Sequence, residues 1–445
     1  MLSFLSLFGI FSALYHIFVT ITVYGLELFS HSFPSLIREG IWCLFILGIF
    51  LCNYKQRKEY WKKWKRSWIF FIFVCGFGVV VSYFLHERSL GDIFIGLKYG
   101  FWWTFILLSA SAVGFFYQKT FKHLKVFQWI AGGLMMIVIL GFLWQGAKLL
   151  YPDFFFSLGY GPLDDFQFGE KPPLYYLTGY EGTLRWQGLF SGPNNYGYFL
   201  VAFFPLILLF FGESLRKIKS WTLSQRINVL LVIIWMLAMG MTLSRSVLIA
   251  GFLVLIFINI PLLKKNKRLL IGGGIALVIV FGILSLLKRE STLGHLTSKL
   301  GAIPQIINAP LGYGLGTSGP AIHHNGSLLP ENYFFQIMLD IGTLGFILWA
   351  LMLLQIIGVH HAIKTSLENK KLKEAQQTQL LLLQRVQIGF LALLLIGLFL
   401  HVFEDSMVNY IFFIVYGILL GSLSREIHGG IPFFFPKQKN DKKEI

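Results

Sequence analysis

Glu331 stands where a long polar loop runs into an apolar segment, in the stretch PENYFFQIMLDIGTLG. A carboxylate at the mouth of a membrane span is costly to desolvate, which makes it a functional candidate. A plain helix start is the competing reading, because Pro330, Glu331 and Asn332 all suit a first turn and the positive end of a helix dipole. Two arginines have the complementary character. Arg185 lies in LRWQGLFSGPNNYG just before an apolar segment, and Arg245 lies in MTLSRS at a tight turn between two apolar segments. Two guanidinium groups confined at one interface form a bidentate site for phosphate or pyrophosphate. Against that, Arg185 also reads as an ordinary interfacial arginine, a reading that fits Arg245 less well because two spans enclose it. Lys98, several residues inside another apolar segment, is a third candidate cation, with snorkelling or pairing to a carboxylate as its alternative.

Membrane helices must position these residues. The chain has 445 residues, 56% of them hydrophobic and 13% charged, which excludes a soluble globule and predicts an all-α polytopic membrane protein. The 46 Phe and 12 Trp suit a lipid-facing surface with aromatic anchors at its interfaces. A formal charge of +17 falls mostly in short connections between apolar runs, so topology accounts for it and nucleic acid does not. Cys43, Cys52 and Cys75 lie in or at the ends of apolar runs and suggest neither a disulfide framework nor metal-ligand spacing.

About twelve spans are expected. Five occupy residues 1–150, beginning with a retained helix near Leu5–Leu28, and a first large loop covers 151–193. Spans six to nine fill 194–287, the ninth near Leu269–Leu287, and a second large loop covers 288–332. The last three fill 333–424, interrupted by a Lys- and Gln-rich segment at 360–387 that is expected to be helical on the cytoplasmic surface, and a basic tail covers 425–445. With both termini cytoplasmic, every basic connection is also cytoplasmic, including Lys55–Arg66. The two large loops, the Arg245 turn and the Glu404–Asp405 turn then face the other side, where the chemistry is expected. The chain has no P-loop, no Gly-x-Gly-x-x-Gly between strand and helix, and no Cys or His metal motif. Neither a cofactor nor a metal is therefore expected, and direct use of ATP or a nucleotide sugar has no support.

Four segments, in order, resemble the O-antigen ligase and polymerase family of bacterial envelope glycosyltransferases. RWQGLFSGPNNYG is similar to that family's arginine-glycine-proline-asparagine segment, and TLSRS to its threonine-leucine-serine-arginine turn. STLGHLTSKLGAIPQIINAPLGYGLGTSG resembles its amphipathic stretch ending in proline and a Gly-x-Gly pattern. Family ligases then carry His, a residue such as Asn, nine residues, Gly, two residues and Gly. Here Asn332, Gly342 and Gly345 fit, and Glu331 replaces the His. His324-Asn325 does not restore the motif, because Phe335 stands where Gly is required. Glutamate at this position leans the resemblance from ligase towards polymerase, with a ligase or a protein-directed oligosaccharide transferase of the same family as the alternatives.

The resemblance implies a GT-C-like enzyme of the bacterial inner membrane with its site on the extracytoplasmic side. The implied donor is a glycan linked through pyrophosphate to a polyprenyl lipid, and the acceptor a glycan or lipid-linked hydroxyl. Arg185 and Arg245 would hold the pyrophosphate, and Glu331 would take the acceptor's proton. Membrane lipids, and other envelope polysaccharide assembly proteins, are the further partners implied. His323 and His324 can substitute as base or bind sugar, or simply be solvated. Asn194 and Asn195 contact substrate or cap the sixth span, and Arg289 approaches lipid phosphates or faces water. Asp340 is a partner for a membrane cation such as Lys98, and Gly312, Gly314 and Gly316 form a tightly turned segment. A transporter or flippase is the competing class, but it predicts two related halves with interrupted helices, and no such internal symmetry is visible.

Overall fold

A computed structural model describes residues 1–30, 33–121, 123–162, 171–178, 182–212, 222–265, 272, 289–320, 328, 330–368, 374–404 and 406–425. Within them the chain is an all-α polytopic membrane protein, with ten helices long and apolar enough to cross a membrane. These are α1 (Leu2–Gly25), α2 (Phe33–Cys52), α3 (Tyr54–Leu85), α4 (Leu90–Phe116), α5 (Leu124–Leu150), α6 (Pro193–Phe210), α7 (Leu223–Met241), α10 (Tyr333–Glu368), α11 (Glu374–Gly397) and α12 (Ser406–Ser424). Between them run α8 (Arg245–Lys265), whose apolar part is shorter, and α9 (Arg289–Asn308). Almost all of the ninth expected span, Leu269–Leu287, lies outside the described residues. A hairpin of β1 (Tyr176–Thr178) and β2 (Thr183–Arg185) stands in the first large loop, paired Tyr176 to Arg185.

The basic stretch Lys55–Arg66, expected as a connection, is instead the start of α3. It holds no Gly or Pro, and Lys, Arg and Glu are good helix formers. At 32 residues α3 is about 48 Å long, against a hydrocarbon thickness of about 30 Å, so its basic turns extend past the membrane. α10 likewise continues without interruption through His360 and Lys364 to Glu368, into the segment expected to be helical.

Small residues hold the centre together. A Cβ at Gly114, Gly417 or Gly421 would run into the backbone of Ile418, Leu107 or Ser111, so α4 and α12 lie side by side in the same direction with their backbones touching. Gly389 lets α11 approach the Ala202 carbonyl of α6 in the same way. Lipid tails are as apolar as Leu, so close packing of this kind, rather than hydrophobic burial, is what joins membrane helices.

The two ends differ. At one, Lys63 donates to the carbonyls of Ser424 at 2.7 Å and Arg425 at 3.3 Å, while Arg425 meets Glu59 at 3.8 Å. A lysine on the last carbonyls of α12 satisfies acceptors that the helix cannot pair internally and suits its negative end. The start of α3 and the end of α12, both expected on one side, are thus tied together. At the opposite end Gly159 backs onto Gly25 at the close of α1, and Lys98 joins the starts of α4 and α2 through Glu39. Arg88, between α3 and α4, reaches Thr317 there. The first-loop hairpin, the Gly-rich segment and the start of α10 therefore share this loop end.

Candidate functional site

Arg185 closes β2, and three pieces of chain meet on it. Its Nε donates to the Thr242 carbonyl just beyond α7 at 3.0 Å, and an Nη donates to Asn194 Oδ1 in the first turn of α6 at 2.8 Å. The next residue, Trp186, donates its backbone N–H to the Met241 carbonyl at 2.9 Å, so the hairpin is stitched to the end of α7. Tyr176 Oη binds the Ser191 carbonyl at 2.8 Å, and Asn195 donates to Ser191 Oγ at 2.6 Å. Of the two adjacent asparagines, Asn194 joins the arginine while Asn195 holds the turn before α6.

The TLSRS turn brings in the second arginine. Leu243 takes a left-handed backbone at φ 49°, Thr242 Oγ1 accepts from the Ser244 N–H at 3.3 Å, and Arg245 opens α8. Burial pulls the pKa of the Arg185 guanidinium below its ordinary value; Tyr198 and Tyr176 oppose this, and the positive charge of Arg245 reinforces it. The guanidinium groups therefore share one field. The starts of α6 and α8 lie together beside them, Gly197 packed against Val247. Guanidinium groups and helix N-termini are both suited in their chemistry to an anion with several oxygens.

Glu331 precedes α10 in a different setting. Asn332, not Glu331, caps that helix: its Oδ1 accepts from the N–H groups of Phe334 at 2.9 Å and Phe335 at 3.1 Å, and its Nδ2 donates to the Leu398 carbonyl at 3.0 Å. Glu331 itself is half-buried with a left-handed backbone at φ 45°. A non-glycine residue pays about 1–2 kcal/mol for that conformation. The helix start is thus capped by its neighbour, and the left-handed backbone makes Glu331 a candidate for function. His401, which the sequence reading passed over, lies against the first turns of α10, its Nδ1 2.8 Å from Gln336 Oε1.

The Gly-rich segment locks onto a break in α10. Gly342 has φ 68° and ψ 179°, a conformation essentially reserved for glycine. The groups that the break leaves open are taken up by the loop. The Thr343 N–H donates to the Pro310 carbonyl at 2.9 Å, Tyr313 N–H to Leu339 at 2.7 Å and Gly314 N–H to Asp340 at 3.0 Å. Gly312, Gly314 and Gly316 all have positive φ. Asp340, 1% exposed, receives the Ser318 N–H at 2.9 Å and its hydroxyl at 2.8 Å. It does not pair with Lys98, which lies 3.1 Å from Glu39 and also binds Ser35. Beside them the Arg38 guanidinium sits 3.8 Å from the Tyr15 ring centroid and 4.5 Å from that of Tyr410.

The remaining sequence candidates are not brought into view. His323, His324 and Asp405 lie outside the described residues, as does the side chain of Arg289 at the start of α9. One cation was missed. Lys148 is fully buried near the end of α5 with Nζ 4.1 Å from the Tyr160 ring centroid, and has no hydrogen-bond partner among the described residues. Gln145, one turn earlier, is also fully buried. Their spacing in WQGAK, inside an otherwise apolar span, was the available signal.

No protein-family profile and no solved structure matches the chain. It is similar to an O-antigen polymerase of Salmonella muenchen, 25% identical over 226 residues, an alignment covering 45% of this chain. That alignment spans 52% of the relative, about half its length.

Proposed function

We propose that the chain is a membrane glycosyltransferase that moves a glycan from a polyprenyl pyrophosphate to an acceptor hydroxyl, joining polysaccharide repeat units outside the cytoplasmic membrane. The observation that carries this reading is Arg185, bridged to Asn194 and the Thr242 carbonyl beside Arg245 and two helix starts. Similarity to an O-antigen polymerase supports the same reaction class.

In this reading the guanidinium groups hold the pyrophosphate and stabilise the charge that grows on it as it leaves. Glu331 accepts the proton of the acceptor hydroxyl, whose oxygen forms the new bond to the anomeric carbon from the opposite face. The bond from that carbon to the pyrophosphate oxygen breaks, its electron pair leaves with the polyprenyl pyrophosphate, and the anomeric configuration inverts. The donor is already activated, so the transfer runs without ATP. The partners are the lipid-linked donor, the acceptor glycan and the surrounding lipids.

The test compares Glu331→Ala and Glu331→His with the parent in cells lacking the protein, at matched membrane levels, by sizing surface glycans on a gel. A parental ladder that collapses to single repeat units in Glu331→Ala is the expected result. Long unattached chains accumulating on the lipid carrier would instead identify a ligase. A ladder untouched by Glu331→Ala would remove Glu331 from the site.

A further inference from the structure

One face of α3 looks away from the protein from Lys58 to Val80. Tyr60, Lys63, Trp64 and Ser67 form the buried side of its first turns. Opposite them, at the steps of three and four residues that keep side chains on one face, stand Lys58, Lys62, Lys65 and Arg66, all exposed. The same stripe continues through Ile69, Ile72, Phe73 and Val80, which are 44%, 60%, 66% and 53% exposed. In a span of this length and composition, such an apolar face is the one that lipid covers. Four cations therefore continue a lipid-facing stripe on one helix face. The opposite face of those turns is fixed to the end of α12: Lys63 donates to the Ser424 carbonyl at 2.7 Å, and Trp64 Nε1 to Ser424 Oγ at 3.1 Å. The one carboxylate between Lys55 and Arg66, Glu59, meets Arg425 at 3.8 Å.

Axial distance decides which of these cations meets what. At about 1.5 Å per residue, Lys65 stands about 6 Å beyond Ile69 and Lys62 about 10 Å, the level of the head groups that flank the hydrocarbon core. Lys58 is about 16 Å beyond Ile69, a further turn out. We propose that Lys62 and Lys65, with Arg66 beside them, bind the phosphate of an anionic phospholipid whose acyl chains lie along Ile69, Ile72 and Phe73. An ammonium group on a flexible stem can reach down to a phosphate while its methylene groups cover apolar surface. Lys58 adds to the local field without contact. Trp61, 40% exposed at the edge of the stripe, anchors the helix at the same level. A lipid held here sets the depth of α3. The site lies at the end of the bundle opposite the arginine node, and it stands whether or not the glycosyl-transfer reading does.

The experiment places a photoreactive amino acid at Ile69 in the full-length protein, in nanodiscs of equal parts phosphatidylethanolamine and phosphatidylglycerol, and identifies the cross-linked lipid by mass spectrometry. A second sample carries it at Leu143, a 65% exposed position on a stretch of α5 without exposed cations. The ratio of phosphatidylglycerol to phosphatidylethanolamine adducts at position 69 is expected to exceed that at 143 by at least about fivefold, the effect of one cation near an anionic surface. Lys62→Gln combined with Lys65→Gln should remove most of that excess. Lys62→Arg combined with Lys65→Arg should keep it, which separates charge from any effect of substitution on folding. Lys58→Gln should lower it by about twofold or less, because the charge lies beyond the head groups. Equal ratios at the two positions would overturn the proposal and leave the stripe to solvent or to an acidic protein partner. An excess that survives loss of both lysines, or one that the arginine pair loses, would overturn it equally.

Discussion

The arginine node and the Glu331 junction lie at the same end of the bundle but are held by different means. At the node, side chains do the holding: Arg185 spans a hairpin, the end of α7 and the start of α6 through its own hydrogen bonds. At the junction, backbone does it: a helix broken at Gly342 is closed by the N–H and carbonyl groups of a Gly-rich loop. A charge that must meet a charged head is best supplied by guanidinium groups, whose fork matches phosphate oxygens. A single carboxylate that must stand at a fixed point is better supported by a rigid backbone beneath it. Changes at the node should therefore lose function before fold, and changes to the backbone of the junction fold before function.

The largest effect separating the two is expected at Gly342. A Cβ there would collide with the backbone of Pro310, Leu311 and Gly312, in a conformation that only glycine adopts readily. Gly342→Ala should cost more than about 3 kcal/mol and be seen as lost monodisperse protein and a lowered unfolding midpoint in detergent. A variant with the parental midpoint would show that the junction is not built on its backbone.

Arg185→Lys probes the other side of the comparison. Lysine keeps the charge but cannot reproduce the forked contacts to Thr242 and Asn194 while facing a phosphate. Transfer measured with a purified lipid-linked donor should fall about 10²-fold, whereas stability should change by only about 1–2 kcal/mol. A lysine variant that transfers at the parental rate would reduce Arg185 to an anchor for the hairpin. One that fails to fold would make the node as structural as the junction and erase the contrast.

Much of this arrangement was legible in the sequence, and the parts that were not share a physical cause. Spans showed because a continuous apolar run of about 20 residues has few other uses, and Arg185 and Arg245 showed because charge is conspicuous at span ends. Which face of each span meets protein did not show, since lipid and protein neighbours are equally apolar. The close contact of Gly114, Gly417 and Gly421, and the burial of Lys148, were hidden for that reason. The pairing of Lys98 with Glu39 joins residues far apart in the chain, and Asp340 was assigned to the wrong partner because sequence carries no such distances. Which of Glu331 and Asn332 caps the helix was hidden at shorter range. Both residues suit a helix start, and only the backbone angles and the bonds to Phe334 and Phe335 separate them.

The Glu331 backbone yields the smallest effect and the sharpest use of the comparison. Replacing Glu331 by Ala or by Gly removes the same carboxylate and every contact it makes, so the difference between the two variants reports on backbone alone. Alanine keeps the penalty of a left-handed φ of 45°, about 1–2 kcal/mol; glycine is free of it but loses more chain entropy on folding, about 0.5–1 kcal/mol. Glu331→Gly should therefore be the more stable by about 0.5–1 kcal/mol, although both lose transfer. Thermal or denaturant unfolding of the two in the same detergent measures it. If alanine proves as stable as glycine, Glu331 is not strained, and the case that the junction holds this carboxylate for chemistry loses its structural half. If glycine is the more stable, Glu331 sits on a backbone that favours glycine, as expected where activity depends on a strained side-chain position.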